Sequence, residues 1–315
     1  MASRLRRTLL AALVTAAVSV PVSAAARPAA VPAPAPAALA RLSAAELPAL
    51  GDRFAANRGN IREAARMADG HGDRARAARL RAMADPARHF LTFDGRDGGR
   101  TAEVFGDLAR AERIAVLVPG SDTNLDTYGR FREGAVALHD EMGGRTAVVA
   151  WLGYATPGTI SSDVLTEGRA DGAATQLRSF IRELGTAKPG AQVSLLCHSY
   201  GSVVCGRAAP SLDVADIVLY GSPGAGADSA ADLHTPATVW AGRGADDWVA
   251  EVPHVRLDIL GTTVGHGTDP VSPAFGARTF AAGDGGHSDY LKPGSVPLKN
   301  LARIALGRAT EVTHA

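Results

Sequence analysis

From His89 onward, short apolar runs alternate with longer stretches that carry helical spacing. Phe90–Phe93 and Thr101–Phe105 each read as a strand. Asp94-Gly95 ends the first, and the pair predicts a hairpin. Arg113–Val118, Thr146–Leu152, Val193–Leu196, Ala215–Tyr220 and Ala237–Ala241 are strongly apolar with little alternation, the pattern of strands covered on both faces. Ala277–Ala281 predicts a last strand. Phe131–Glu141 and Leu165–Leu184 predict helices, the second with Leu177, Phe180, Ile181 and Leu184 on one face, and Val296–Leu306 predicts a closing helix. Strands that alternate with helices predict an α/β fold: a mainly parallel central sheet with helices on both faces.

The first part of the chain has other patterns. Leu42 to Ala84 is rich in Ala, Arg, Glu and Leu, with apolar positions at Leu47, Leu50, Phe54, Ile61 and Ala65. Gly70-His71-Gly72-Asp73 divides it into two helices, with His71 in an exposed loop. So few large apolar residues cannot fill a core alone, so this segment is expected to flank the sheet. Arg27–Ala40 is Pro/Ala-rich and reads as an extended, flexible spacer. Met1 to Ala26 has Arg4, Arg6 and Arg7, then the apolar stretch Leu9–Val20, then small residues at Val22-Ser23-Ala24 and Ala24-Ala25-Ala26. That order is the pattern of an export signal, by the general or the twin-arginine route. The expected division is signal peptide 1–26, linker 27–40, helical segment 41–88 and catalytic domain 89–315. No later apolar run is long enough to cross a membrane as a helix, so a secreted protein is expected.

Composition narrows the partners. The 315 residues are 46% hydrophobic, with a formal net charge of +1. No electrostatic argument points to nucleic acid or an anionic membrane. The basic residues are almost all Arg. Lys188, Lys292 and Lys299 are the only lysines. No zinc-type spacing occurs, and Gly221-Ser222-Pro223-Gly224-Ala225-Gly226 lacks the setting of a dinucleotide site, so no cofactor or metal is expected.

Candidate chemistry centres on Cys197-His198-Ser199-Tyr200-Gly201, which follows a buried strand and opens a helical segment. A strand–turn–helix with serine at its apex lifts the hydroxyl clear of the sheet edge. The usual motif is G-x-S-x-G, and Cys197 stands where the first Gly would be. A serine nucleophile needs a base and an acid to orient that base, here in the chain order Ser, acid, His. Among nine histidines, His287, between Gly285-Gly286 and Ser288-Asp289-Tyr290, is the preferred base and His266 the alternative. His198 is too close to Ser199 in the chain to serve. His234 and His254 sit in loops with no clear partner. Asp247, followed by Trp248-Val249, is preferred over Asp246 as the acid. Oxyanion donors are expected from the Tyr200 N–H and from Ser121 or Asp122 after Val118. Trp151 and Tyr154 are candidates for lining an acyl pocket or for packing.

Taken together, Val-Pro-Gly-Ser at 118–121, Trp151-Leu152-Gly153-Tyr154, the Ser199 segment, the Asp247-Trp248-Val249 turn, Gly265-His266-Gly267-Thr268-Asp269-Pro270 and Gly286-His287-Ser288-Asp289-Tyr290 resemble the α/β-hydrolase superfamily. The resemblance is closest to a bacterial branch catalogued as a domain of unknown function, and it covers about Leu91 to Arg308. It implies a Ser–Asp–His hydrolase fold and says little about substrate. Three readings follow: a secreted serine hydrolase of carboxylic esters, small-molecule or lipid; an amidase or peptidase with the same triad; or a non-catalytic module on the same fold. The short connection from Gly224 to Pro236 disfavours a large cap. The only two cysteines, Cys197 and Cys205, lie roughly level if the helix returns beside its strand. A disulfide and two buried thiols are both compatible with that spacing.

Overall fold

The computed structural model describes residues 31–161, 168–254, 257–259 and 262–314. The export signal expected at 1–26 and the start of the helix expected at Leu165 lie outside these residues.

Eight strands form one sheet. In chain order they are β1 His89–Asp94, β2 Arg100–Gly106, β3 Arg113–Val118, β4 Thr146–Leu152, β5 Gln192–His198, β6 Asp216–Tyr220, β7 Thr238–Gly242 and, after a separate hairpin of β8 Leu257–Ile259 with β9 Thr262–Val264, β10 Arg278–Thr279. Their spatial order is β1-β2-β4-β3-β5-β6-β7-β10. β1, β2 and β4 pair antiparallel, and every pairing from β4 through β3 to β10 is parallel. The predicted hairpin is β1–β2. The predicted last strand shrinks to two residues, paired at Trp240 and Ala241 of β7.

The lack of alternation has its expected cause. Along β3, Ile114, Val116 and Val118 face one core, and Ala115 and Leu117 face the other. The first core packs against α4 Gly168–Ala187 and α5 Gly201–Ala208. The second packs against α1 Leu50–Gly70, α2 Arg74–Met83, α3 Tyr128–Met142 and α6 Val296–Ala305. The N-terminal helices therefore flank the sheet, with Ile61, Ala64 and Leu80 in the same core as Phe90 and Leu117. His71 caps the end of α1 and is exposed.

The Pro/Ala-rich stretch departs from a free spacer at its described end. Residues 31–40 have no regular structure but lie against the domain. Val31 and Ala33 pack on the second core, Asn60 donates to the Ala35 carbonyl at 3.0 Å, and Arg53 donates to that of Ala40. Gly95 makes room for this, since a Cβ there would sit 2.9 Å from that of Ala33. Donors on α1 satisfy carbonyls that Pro-rich chain cannot pair within itself.

β3 is followed in space by β4 on one side and β5 on the other. The loops that leave the carboxyl ends of β3 and β5 therefore diverge and open a crevice, the position where open α/β sheets bind ligands.

Candidate active site

Ser199 follows β5 and opens the turn into α5. Its φ is +52°, a left-handed backbone that a non-glycine residue rarely adopts. The surroundings hold it there: the Ser199 N–H donates to the Tyr220 carbonyl at 3.1 Å, and its carbonyl accepts from the Ser202 N–H at 2.9 Å. Two glycines make the approach possible. A Cβ on Gly201 would meet the Val118 and Pro119 carbonyl oxygens at 2.6 and 2.7 Å, and one on Gly120 would meet the Ser199 Cβ at 2.6 Å. Cys197, in place of the motif's first glycine, is fully buried and is bonded to Cys205 in a disulfide with Cα atoms 6.4 Å apart. The Ser202 hydroxyl donates to the Cys197 carbonyl at 3.0 Å, so strand end and helix start are tied twice.

Asp247 and His287 reach Ser199 from beyond β7 and β10. His287 Nε2 lies 2.9 Å from Ser199 Oγ, and its Nδ1 lies 2.9 and 3.1 Å from the two Asp247 carboxylate oxygens. With the proton on Nδ1 donated to Asp247, Nε2 is left to accept from the serine hydroxyl. Asp247 is 2% exposed. Burial raises its pKa, but hydrogen bonds from His287, Tyr290 and the Val249 N–H outweigh this and hold it below the usual carboxylate value. Asp246 is exposed and takes no part in this set.

Two neighbours complete the arrangement: Tyr290, to which sequence reasoning assigned no role, and His198, which it expected to support or pack beside the site rather than serve as the base. The Tyr290 hydroxyl donates to Asp247 Oδ2 at 2.5 Å and accepts from the Gly244 N–H at 3.0 Å. Burial, then the hydrogen bond to Asp247, holds this phenol protonated far above its ordinary range. His198 donates from Nε2 to the His287 carbonyl at 2.8 Å, and its ring lies 4.7 Å from that of His287. Burial, then the neighbouring His287, pulls the His198 pKa down to about 3, so its ring is neutral. The Gly-His-Ser-Asp-Tyr spacing contained the signal for Tyr290: a hydroxyl three residues after the base can meet the same acid.

The loop after β3 supplies the opposite wall. The Ser121 N–H has no hydrogen-bond partner among the described residues, whereas the Asp122 N–H is committed to the Pro157 carbonyl at 2.9 Å. The alternative of an Asp122 donor is therefore removed. Asp122, at φ +58°, has a different position: its carboxylate accepts from the Thr159 N–H and hydroxyl, joining this loop to residues 157–161. The Tyr200 N–H follows Ser199 at the entry to α5.

A cleft of about 1000 Å³ runs along this edge, with Ser199, His287, Gly120 and Ser121 on its walls and Ile160 and Trp248 as exposed apolar residues among its lining. Trp151 and Tyr154 are not on those walls. Both are buried in the core, where Trp151 stacks on Tyr154 with ring centres 6.1 Å apart and lies near Phe180. Tyr154 acts on the site from behind, donating to the Pro119 carbonyl at 2.6 Å. Substrate lining by these two aromatics is thus corrected. Trp151 points to the α4 face of β4, the core side. His266 is buried on the far side, with its ring 5.6 Å from that of Tyr200. His254, expected without a partner, lies 3.1 Å through Nδ1 from the Pro223 carbonyl.

The chain is similar to several known proteins. An uncharacterized protein of Mycobacterium tuberculosis is 30% identical over 259 residues, which cover 69% of this chain and 38% of the relative. The chain thus spans well under half the length of that relative. An uncharacterized protein of Mycobacterium bovis is 32% identical over 177 residues, 49% of this chain and 66% of the relative. Among solved structures, an α/β serine hydrolase without a lid from Xanthomonas campestris is 19% identical, with a TM-score of 0.46, and covers 70% of this chain and 94% of its own. Esterase PE8 is 15% identical, with a TM-score of 0.46, and covers 66% and 98%. The family model described as alpha/beta hydrolase matches residues 94–257, from the end of β1 past Asp247, and by that match the chain belongs to the alpha/beta hydrolase family.

Proposed function

We propose that the protein is a secreted serine hydrolase that cleaves carboxylic esters through an acyl-enzyme. The observation that carries this reading is the continuous series Ser199 Oγ, His287 Nε2, His287 Nδ1 and Asp247, with each link near 3 Å. Ser199 attacks the ester carbonyl carbon while His287 takes its proton. The oxyanion that forms is held by the Tyr200 and Ser121 N–H groups, each worth roughly 3 kcal/mol of barrier. Asp247 keeps the imidazole in the accepting tautomer and stabilises its charged form. His287 then returns the proton to the leaving alcohol, and the acyl group stays on Ser199. Water deprotonated by His287 attacks the acyl-enzyme and releases the acid. The export pattern at residues 1–26 supports secretion. The open cleft with apolar lining supports a small-molecule or lipid ester.

A fluorophosphonate probe and esters of graded acyl length test this on the mature protein. The probe is expected to label Ser199. Ser199→Ala and His287→Ala should each lose roughly four to six orders of magnitude in kcat, and Asp247→Asn should lose less. Turnover that survives in Ser199→Ala would move the site elsewhere. Amide turnover above ester turnover would replace the ester assignment with the amidase one.

A further inference from the structure

The cleft at Ser199 does not end at Leu291. A second groove of about 650 Å³ adjoins it, and Arg130, Gly134, Ser288 and Leu291 line both. At this junction Leu291 packs closely on Gly134 of α3, where a Cβ would fall 2.7 Å from Leu291 Cδ1. Arg130 therefore stands on the wall shared by the cleft and its extension.

The charges along this path are not equivalent. In the cleft, Asp122 is occupied by Thr159. In the extension, Lys292 pairs with Asp289 at 2.8 Å, Asp289 also accepts the Gly286 N–H, and Arg132 reaches buried Glu103 at 3.4 Å. Arg130 is exposed and makes neither a hydrogen bond nor an ion pair within 4.0 Å among the described residues; its charge acts on Asp289 only at longer range, while Asp289 is already held by Lys292 and the Gly286 N–H. Besides Asp122, it is the sole Asp, Glu, Lys or Arg on the described walls of the Ser199 cleft. Glu133 and Asp140 line only the extension beyond it.

We propose that Arg130 receives a negatively charged group, a carboxylate or a phosphate, on the ester that Ser199 attacks. This rests on the serine hydrolase reading. The planar guanidinium suits either oxyanion, because it offers paired N–H donors. Glu133 and Asp140 repel an anion that extends further, so the charged group stops at the junction of the two cavities.

The test compares matched esters. Monoethyl succinate carries a carboxylate on the acyl side, with diethyl succinate as its neutral counterpart. 2-Phosphoethyl acetate carries a phosphate on the alcohol side, with ethyl acetate as its counterpart. The readouts are the anionic-to-neutral ratio of kcat/KM in the active protein and the same ratio of affinities, by NMR titration, in Ser199→Ala. We expect at least one anionic ester to be favoured by about three- to tenfold. Arg130→Gln should abolish that preference, Arg130→Glu should reverse it, and added salt should weaken it. Which pair responds identifies the anion and the side of the ester. Neutral esters turned over with no preference, or a preference that survives Arg130→Gln, overturn the assignment of Arg130 alone. Discrimination in the titration without turnover or probe labelling supports Arg130 and overturns the serine hydrolase reading.

Discussion

Tyr290 shares one carboxylate with the histidine opposite Ser199. Its hydroxyl donates to Asp247 Oδ2 and accepts from the Gly244 N–H, so its loss leaves a buried carboxylate short of one donor and a buried N–H without its acceptor. Unmet buried polar groups of this kind cost about 1–3 kcal/mol. Tyr290→Phe is therefore expected to lower stability by that amount and to raise the Asp247 pKa. A carboxyl group with a depressed folded-state pKa contributes stability that is present above its unfolded value and lost as pH falls through the folded one. Raising the folded value shrinks that contribution. Activity should fall about tenfold as the acid's orientation loosens, against a far larger loss for Asp247→Ala. Thermal unfolding and kcat for an ester decide it. A Tyr290→Phe protein equal to wild type in both would mean that the hydroxyl has no part in holding Asp247.

The β5–turn–α5 element concentrates the constraints that shape the crevice. Ser199 is strained, Gly120 and Gly201 sit where an added Cβ would come within 2.6–2.7 Å of its neighbours, and the Cys197–Cys205 bridge closes a short loop across the turn. Closing about nine residues contributes about 2.6 kcal/mol in the chain-entropy model. Reduction, or the double change Cys197→Ala with Cys205→Ala, should lower the melting temperature accordingly. Turnover at low temperature should fall only a few-fold, because the backbone bonds at Ser199 and the Ser202 hydroxyl's bond to the carbonyl of residue 197 remain. Two alkylatable thiols in the denatured, unreduced protein would count against the bridge. Much of this element was legible beforehand. An apolar run, a serine and a glycine in sequence leave few other local structures, and the order of Ser199, Asp247 and His287 restricted the partners. The strands were legible for the same reason, because burial on both faces leaves an unbroken apolar run. What stayed hidden depends on side-chain direction. Trp151 lies near the end of β4, a strand that ends at the crevice, and Tyr154 just after it, yet both turn into the core. Asp122 looks like an oxyanion donor until its left-handed backbone points its N–H at Pro157. Neither direction is encoded in spacing along the chain.

At the scale of the whole molecule, the crevice edge is held by the loops after β3, β5, β7 and β10, and His198 lies where they converge. Its ring lies 5.1 Å from that of Tyr220 and 5.8 Å from that of Tyr290, and its Nε2–H holds the His287 backbone. Burial is the main reason its pKa falls to about 3, the positive charge His287 can carry adds to it, and Asp247 opposes it. In the unfolded chain a histidine titrates near 6.5. Between about 6.5 and about 3 the unfolded chain binds a proton at this position that the folded protein does not. Stability therefore falls as pH drops through that window, by up to roughly 1.4 kcal/mol per pH unit from this one group. Asp247 acts in the same direction but lower, below its unfolded value near 3.9. Acid should therefore weaken the fold first through His198 and only later through the carboxylate. His198→Gln keeps an N–H donor and removes the titration. It is expected to cost some stability at pH 7.5 but to flatten the loss between pH 6.5 and 4.5, as read by denaturant midpoints at each pH. If the variant kept the wild-type slope across that interval, another group would have to bind the proton, and His198 would not be what makes the crevice edge acid-sensitive.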